Sequence, residues 1–131
     1  MTETARKNIL ICDDELLNRK LITAMLNGLP YVVSEVSNGT EAIARLLGDY
    51  DALDLVLLDI AMKDVSGTEV CRAVRGSEQD QKRHMPIIAY TAHAMNDEHE
   101  RIISAGFDEI LTKPTSRAAL LALLEKYTST P

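Results

Sequence analysis

Short apolar runs alternate with longer amphipathic stretches along the chain. Five runs of three to six residues, at positions 9–12, 31–36, 55–58, 87–90 and 109–111, have the length and side-chain types of β-strands. In the segments that follow these runs, apolar residues recur every three or four positions, which predicts helices. This alternation of strand and helix favours βαβ units that build a parallel sheet.

The predicted helices carry apolar stripes that should face the sheet. The stripe of the first helix consists of Leu17, Leu21, Ala24, Met25 and Gly28. We expect its leucines, Leu17 and Leu21, to lie in the core, as we do for Leu120 and Leu124 of the last helix.

Residues suited to helix ends support these assignments. Asn38 precedes Glu41 by three positions and Ser66 precedes Glu69 by three, a spacing typical of helix N-termini. Gly106 follows a helix predicted over 96–105 and should end it.

Five strand–helix repeats fill nearly the whole chain of 131 residues. Right-handed crossovers and the commonest order for this pattern predict a flavodoxin-like, doubly wound (βα)5 fold with a five-stranded parallel sheet in the order 2-1-3-4-5. We therefore predict a single domain over 1–131, with a core from about 7 to 127.

Composition and charge narrow the function classes. Hydrophobic residues make up 46% of the chain and charged residues 26%, which excludes a disordered chain. The formal charge of -6 opposes non-specific binding to nucleic acid or anionic lipid, and no apolar run is long enough for membrane insertion. The two cysteines, Cys12 and Cys71, lie in apolar segments and are interpreted as reduced thiols of a cytoplasmic protein.

Polar side chains follow four of the five predicted strands. Asp13 and Asp14 follow the first strand, Asp59 the third, Thr91 the fourth and Lys113 the fifth. In the predicted order, strands one and three are neighbours at the switch point, where ligands of open α/β sheets bind. The three carboxylates should therefore meet in one crevice.

Three adjacent carboxylates repel one another unless a cation lies between them. Mg²⁺ prefers oxygen ligands, which Asp13, Asp14, Asp59 and a backbone carbonyl such as that of Ala61 can supply. Lys113 and Thr91 could bind a transferred phosphoryl group, and Asp59 could then attack its phosphorus atom as a carboxylate nucleophile. Taken alone, however, the Asp13-Asp14 pair is also compatible with a helix cap.

The segments ILICDDE, LVLLDIAM, SGTEV, PIIAYTAHAM and EILTKP stand in this order along the chain. Together they resemble the receiver domains of two-component response regulators, especially those attached to hybrid histidine kinases or acting as single-domain regulators. The resemblance implies a phosphorelay protein that is phosphorylated on Asp59 by a phosphohistidine, binds Mg²⁺ through Asp13 and Asp14, and senses the phosphate through Thr91 and Lys113. It also implies a histidine kinase or histidine phosphotransfer domain as partner, a Lys113-Pro114 bond prone to the cis form, and no enzymatic activity beyond self-catalysed phosphorylation and dephosphorylation.

Several positions depart from the family's pattern. Receivers usually carry an aromatic switch residue three positions before the lysine, where this chain has Ile110. Tyr90 is a poor substitute because neighbouring strand residues point to opposite faces. The positions that tune phosphate lifetime in the family are Ala61 and His93 here, and His93 could either orient water or lie in solvent. By analogy with the family, exposed residues beside Asp14, namely Leu16, Asn18 and Arg19, are expected to contact the phosphodonor helix.

Two other function classes stay open at this point. One is a small Mg²⁺-dependent phosphatase with an aspartate nucleophile, although such enzymes typically have a second acid where this chain has Ala61. The other is a receiver-like docking module that works without phosphorylation, an alternative suggested by Ile110. The sequence does not identify the kinase, the target or the oligomeric state.

Overall fold

The computed structural model of the protein describes residues 6–92 and 96–129. These residues contain one fully parallel five-stranded sheet in the order β2-β1-β3-β4-β5, which confirms the predicted topology. The strands are β1 (Lys7–Cys12), β2 (Tyr31–Val36), β3 (Leu55–Leu58), β4 (Ile87–Thr91) and β5 (Glu109–Thr112). The helices are α1 (Leu16–Met25), α2 (Gly39–Gly48), α3 (Gly67–Arg75), α4 (Glu78–Lys82), α5 (Asn96–Ser104) and α6 (Arg117–Thr128), and a 3-10 turn covers Tyr50–Ala52.

The core has two layers, one on each face of the sheet. Alternate residues of β1 separate into them, because successive strand side chains point to opposite faces. Leu10 and Cys12 pack towards α2 and α3, whereas Ile9 and Ile11 pack towards α1 and α6. All four residues of β3 are buried, as a central strand covered on both faces requires. No helix in the described part of the chain is both long and apolar enough to cross a membrane.

The predicted helix caps are present. The side chain of Asn38 accepts a hydrogen bond from the Glu41 backbone N–H at 2.8 Å, and Ser66 does the same for Glu69 at 3.3 Å. Gly106 follows α5 with a φ of +113°, a conformation that glycine adopts without steric cost.

The predicted buried face of α1 is wrong. Leu17 is 67% exposed and Leu21 is 41% exposed, while Ile22 and Leu26 face the sheet. Two adjacent rows of apolar residues run along this helix, and helical periodicity alone does not decide which one packs inward. Leu120 and Leu124 of α6 are fully buried, as predicted.

One helix was not predicted. Helix α4 has the sequence EQDQK and no buried residue, so it leaves no apolar periodicity to detect. It begins instead at a local cap, where Ser77 accepts a hydrogen bond from the Asp80 backbone N–H at 3.2 Å.

Candidate functional site

The pairing of β1 with β3 brings two of the predicted acids side by side. Cys12 lies opposite Leu58 in the sheet, and the Asp59 backbone N–H donates to the Cys12 carbonyl at 2.9 Å. The chain therefore leaves both strands at the same level. One carboxylate oxygen from each of Asp13, Asp14 and Asp59 lies within 4.8 Å of the others, which confirms the predicted convergence.

Asp13 is fully buried and fixed from several directions. One carboxylate oxygen accepts the Glu15 backbone N–H at 2.9 Å, and the other accepts the Lys113 ammonium at 2.8 Å. Arg19 donates to the Asp13 carbonyl at 2.8 Å. Asp13 thus holds the turn that leads into α1, but it does not cap the helix, because the N-cap position is Glu15 and no side chain caps it. Asp13 also forms one wall of the acidic cluster.

Lys113 is the cation of this cluster. Its backbone N–H donates to the Thr91 carbonyl at 2.8 Å, which places the residue at the end of β5 and directs its side chain towards the neighbouring strands. The ammonium lies 3.5 Å from Asp59 Oδ1 as well as 2.8 Å from Asp13. Burial by itself lowers the pKa of Lys113, but the hydrogen bond to Asp13 and the two negative charges raise it above its ordinary value.

The charges of the cluster do not balance within it. Three carboxylates face one ammonium, which leaves an excess of two negative charges when all three acids are ionised. A divalent cation carries the missing charge, and carboxylate oxygens are the ligands that Mg²⁺ prefers. The geometry and the donor set therefore both fit a magnesium site.

Asp59 is the acid most affected by this environment. Burial raises the pKa of its carboxyl to about 6, the neighbouring Asp13 adds to the rise, and Lys113 opposes it. The Ala61 backbone N–H donates to Asp59 Oδ1 at 3.3 Å. A buried carboxyl with a raised pKa at a cluster of charged groups is typical of a functional site.

The other predicted site residues differ in where they lie. Thr91 is the last residue of β4 and is buried, and Thr91 and Ala61 both line a cavity of about 280 Å³ that also contacts α5. Ile110 is half-buried on the sheet face that carries α2 and α3, whereas Tyr90 packs in the opposite layer, as strand alternation predicted. His93 lies outside the described residues.

Three contacts of the site were not predicted. Arg19 was expected to be an exposed docking residue, but its side chain is only 14% exposed and pairs with Glu35 at 3.0 Å. That prediction is wrong because Arg19 is used internally, to hold Asp13. Asp64, in the loop after Asp59, accepts the backbone N–H groups of Gly39 and Thr40 and so ties this loop to α2. Lys113 also lies over the ring of Tyr90, 5.1 Å from its centroid.

Comparison with known proteins decides between the possible functions of such a site. The sequence profile of the response regulator receiver domain matches residues 9–125. The chain belongs to this family. It is a receiver domain of two-component signal transduction, and this assignment favours the receiver interpretation over an aspartate-nucleophile phosphatase.

Relatives of two kinds resemble this receiver domain. The polar-differentiation response regulator DivK of Brucella anthropi is 34% identical over 121 residues, covering 92% of this chain and 95% of DivK. The sensor protein GacS of Pseudomonas syringae is 33% identical over 121 residues, covering 92% of this chain but only 13% of GacS. The chain is thus similar to nearly all of one relative and to a small part of the other.

Solved structures give the same result. The receiver domain of sensor histidine kinase PA1611 from Pseudomonas aeruginosa PAO1 has a TM-score of 0.83 and 32% identity, covering 96% of this chain and all of that one. That crystal structure holds a magnesium ion in its active-site cleft. The fold of this chain is therefore that of a receiver domain, with an acidic cluster that could hold a metal ion.

Proposed function

We propose that this receiver domain accepts a phosphoryl group from a phosphohistidine onto Asp59 and passes or reports it through protein contacts. The observation that carries the proposal is the position of Asp59, which is buried beside Asp13 and lies 3.5 Å from the Lys113 ammonium. A carboxylate in such a site is oriented for attack, and the cation beside it stabilises charge on the incoming group.

The transfer is a displacement at phosphorus. An oxygen of Asp59 forms the new P–O bond while the P–N bond to the donor imidazole breaks and its electron pair returns to the ring nitrogen. The ammonium of Lys113 neutralises phosphoryl oxygens, and Thr91, at the end of β4, contributes its hydroxyl group to their binding. The receiver domain thus catalyses its own modification and does not turn over an external substrate.

The metal site we propose consists of Asp13, Asp14, Asp59 and the backbone carbonyl of Ala61. Bound Mg²⁺ supplies charge neutralisation for the carboxylates and for the phosphoryl oxygens. In the protein itself, Asp13 is held by Glu15, Arg19 and Lys113, so its carboxylate is oriented before any ligand arrives. We infer that Ala61 and His93 affect phosphate lifetime, as their positions imply.

Incubation with Mg²⁺ and a small phosphodonor should add one phosphoryl group to the protein, seen as a single mass increment. Chelation of the metal should stop the reaction. Because protonated Asp59 is neither a nucleophile nor a good ligand, the rate should fall as the pH drops through about 6. Protons and metal compete for this carboxylate, so the midpoint should shift to lower pH as the Mg²⁺ concentration rises. An unchanged mass under all these conditions contradicts the proposal.

We further propose that a helical histidine-bearing partner docks on α1. Leu16, Leu17 and Leu21 are exposed apolar residues of α1, which begins two residues after Asp14. Phosphoryl transfer requires the donor close to Asp59, and these leucines form an exposed apolar surface on the helix that follows the acidic pair. The similarity to parts of histidine kinases supports a histidine kinase or a histidine phosphotransfer domain as the partner.

Leu17→Ala should slow phosphoryl transfer from a phosphorylated histidine phosphotransfer domain by about tenfold, since it removes an interface side chain. Phosphorylation by a small phosphodonor should not change, because Leu17 is not part of the acidic cluster. Val32→Ala is the matched control, as Val32 is an exposed apolar residue on β2, at 42% exposure, paired with the start of β1. Equal effects of the two variants on protein-to-protein transfer would contradict this docking surface.

We propose that residues 1–131 act as one receiver unit with its core at about 7–127, and that this unit is cytoplasmic. Cys12 and Cys71 are both buried and unpaired, which supports a reducing compartment. Burial raises the pKa of both thiols, so they are suited to packing and not to redox chemistry.

With Ile110 in place of an aromatic residue, we expect the response to phosphate to pass through Thr91 without the usual movement of a ring.

A further inference from the structure

We propose that Tyr90 is a positioning residue for Lys113, and that the face of its ring holds the ammonium between Asp13 and Asp59. The inference rests on the proposed function, because Lys113 matters only if a phosphoryl group is to be bound on Asp59. We place the role of Tyr90 in its effect on Lys113, and assign it no direct part in binding the transferred group.

The geometry around Lys113 leads to this role. The ammonium contacts Asp13 at 2.8 Å and Asp59 at 3.5 Å, and it lies 5.1 Å from the centroid of the Tyr90 ring. A cation within about 6 Å of an aromatic face is attracted by the ring quadrupole. The ring is therefore a third contact of the ammonium, additional to the two carboxylates.

Lysine needs such a contact more than most side chains. Its flexible chain of four carbons allows many rotamers, and holding the ammonium in one place costs conformational entropy. In this protein the unequal distances to the two carboxylates show that Asp13 holds the ammonium more closely than Asp59 does. The Tyr90 ring limits how far the ammonium can swing when it has to contact a phosphoryl group on Asp59.

Tyr90 is itself held firmly. It is 3% exposed and packs in the layer that also contains Ile11, Leu111 and Leu120. The backbone amide of Thr115, two residues after Lys113, interacts with its phenol group. Burial raises the pKa of Tyr90, so the ring is a neutral phenol at physiological pH and remains a suitable surface for a cation.

The roles of the Tyr90 ring and the Tyr90 hydroxyl can be tested separately by substitution. Tyr90→Leu and Tyr90→Met remove the ring, and we expect them to slow phosphorylation by a small phosphodonor by about threefold to thirtyfold. Tyr90→Phe keeps the ring and should stay within about twofold of the wild type. Ile88→Ala is the matched control, because Ile88 lies on the same strand and in the same buried layer, but pairs with Glu109 at the start of β5, the end of that strand away from Lys113. It too should stay within about twofold.

A double-mutant cycle separates positioning from mere packing. In a Lys113→Ala background, Tyr90→Leu should have no further effect on the rate, because the group that it positions is gone. A second readout does not depend on phosphorylation. The NMR signals of the Lys113 side-chain methylene protons should be shifted by the ring in the wild type and in Tyr90→Phe, and should lose this shift in Tyr90→Leu or Tyr90→Met.

Three results would overturn the inference. They are a Tyr90→Phe variant as slow as Tyr90→Leu, an equal loss with and without Lys113, and Lys113 signals that do not respond to removal of the ring. Should the wild type itself fail to take up a phosphoryl group, the proposed function fails, while the NMR comparison still decides whether Tyr90 positions Lys113. The methionine variant provides the ring-free protein if the leucine variant does not fold.

Discussion

Asp59→Asn should abolish phosphorylation of this receiver domain. Asparagine has nearly the same shape as aspartate and keeps an oxygen that can accept the Ala61 backbone N–H, so the loop should retain its conformation. It lacks the carboxylate that would attack phosphorus and that would complete the metal site. Incubation with Mg²⁺ and a small phosphodonor, followed by mass measurement, should show no added phosphoryl group.

The matched control is Asp54→Asn. Asp54 immediately precedes β3, and Asp59 immediately follows this strand, so the two acids lie at opposite ends of β3. The Asp54 carboxylate accepts a hydrogen bond from the Asn8 backbone N–H at 2.7 Å. The same chemical change there should leave phosphorylation intact. Phosphorylation of the Asp59→Asn variant at the wild-type rate would show that another residue is the acceptor.

The same substitution should raise stability when no metal is bound. The pKa of Asp59 in the folded protein, about 6, lies above its ordinary value of 3.8, so the folded state binds this proton more tightly than the unfolded state does. Stability from this group is therefore present below about pH 4 and is lost as the pH rises through about 6. At pH 8 with a chelator, Asp59→Asn should gain on the order of 1–3 kcal/mol in unfolding free energy over the wild type. The gain should shrink at pH 4, and urea unfolding at both pH values checks this.

Much of this architecture could be predicted because the relevant physics is local. The β3 run Leu55–Leu58 is short, apolar and ends on Asp59, and the caps at Asn38 and Ser66 follow from side-chain hydrogen bonds to nearby backbone. Once strand order is assumed, the sheet register places Asp13 beside Asp59 without further information. The cis Lys113-Pro114 peptide expected from the resemblance is also present.

What could not be predicted depends on contacts between distant parts of the chain. Arg19 looked like a surface residue because nothing in the sequence shows that Glu35, on strand β2, reaches this position of helix α1. Leu17 looked like a core residue because two apolar rows on α1 compete and only tertiary packing selects one. The contact between Lys113 and Tyr90 joins residues more than twenty positions apart, for which a single sequence contains no signal.

The contacts of Asp64 with distant residues were also not predicted. Asp64 lies in the loop that follows Asp59, which we call the acceptor loop. Its carboxylate accepts hydrogen bonds from Gly39, from Thr40 and from the Thr40 hydroxyl, and these contacts hold its pKa well below the ordinary value. A helix N-terminus favours a negative charge, so this cap joins the loop after Asp59 to α2. The sequence alone predicted the Asn38 cap of that helix but not the second one from a distant loop.

Gly67→Ala should destabilise the protein and disturb Asp59 directly. A methyl group on Gly67 would lie 2.2 Å from the Asp59 carbonyl oxygen and 2.8 Å from the Ile60 Cα, both of which are backbone atoms that cannot rotate away. The Gly67 backbone N–H also donates to the Ile60 carbonyl at 2.8 Å, so relief of the clash would pull the acceptor loop from the start of α3. We expect a loss of about 1–3 kcal/mol in unfolding free energy by urea denaturation.

Gly48→Ala is the control that isolates this close approach from the general effect of adding a methyl group to glycine. Gly48 is the last residue of α2, and a methyl group there would meet no atom within 4 Å. Since alanine restricts the unfolded chain more than glycine does, this variant should be as stable as the wild type or gain up to about 1 kcal/mol. It should also be phosphorylated normally, whereas Gly67→Ala should be phosphorylated more slowly even where it is fully folded. Equal stability of the two alanine variants would mean that the Asp59 backbone can move away from α3, and the acceptor would then not be rigidly placed by this contact.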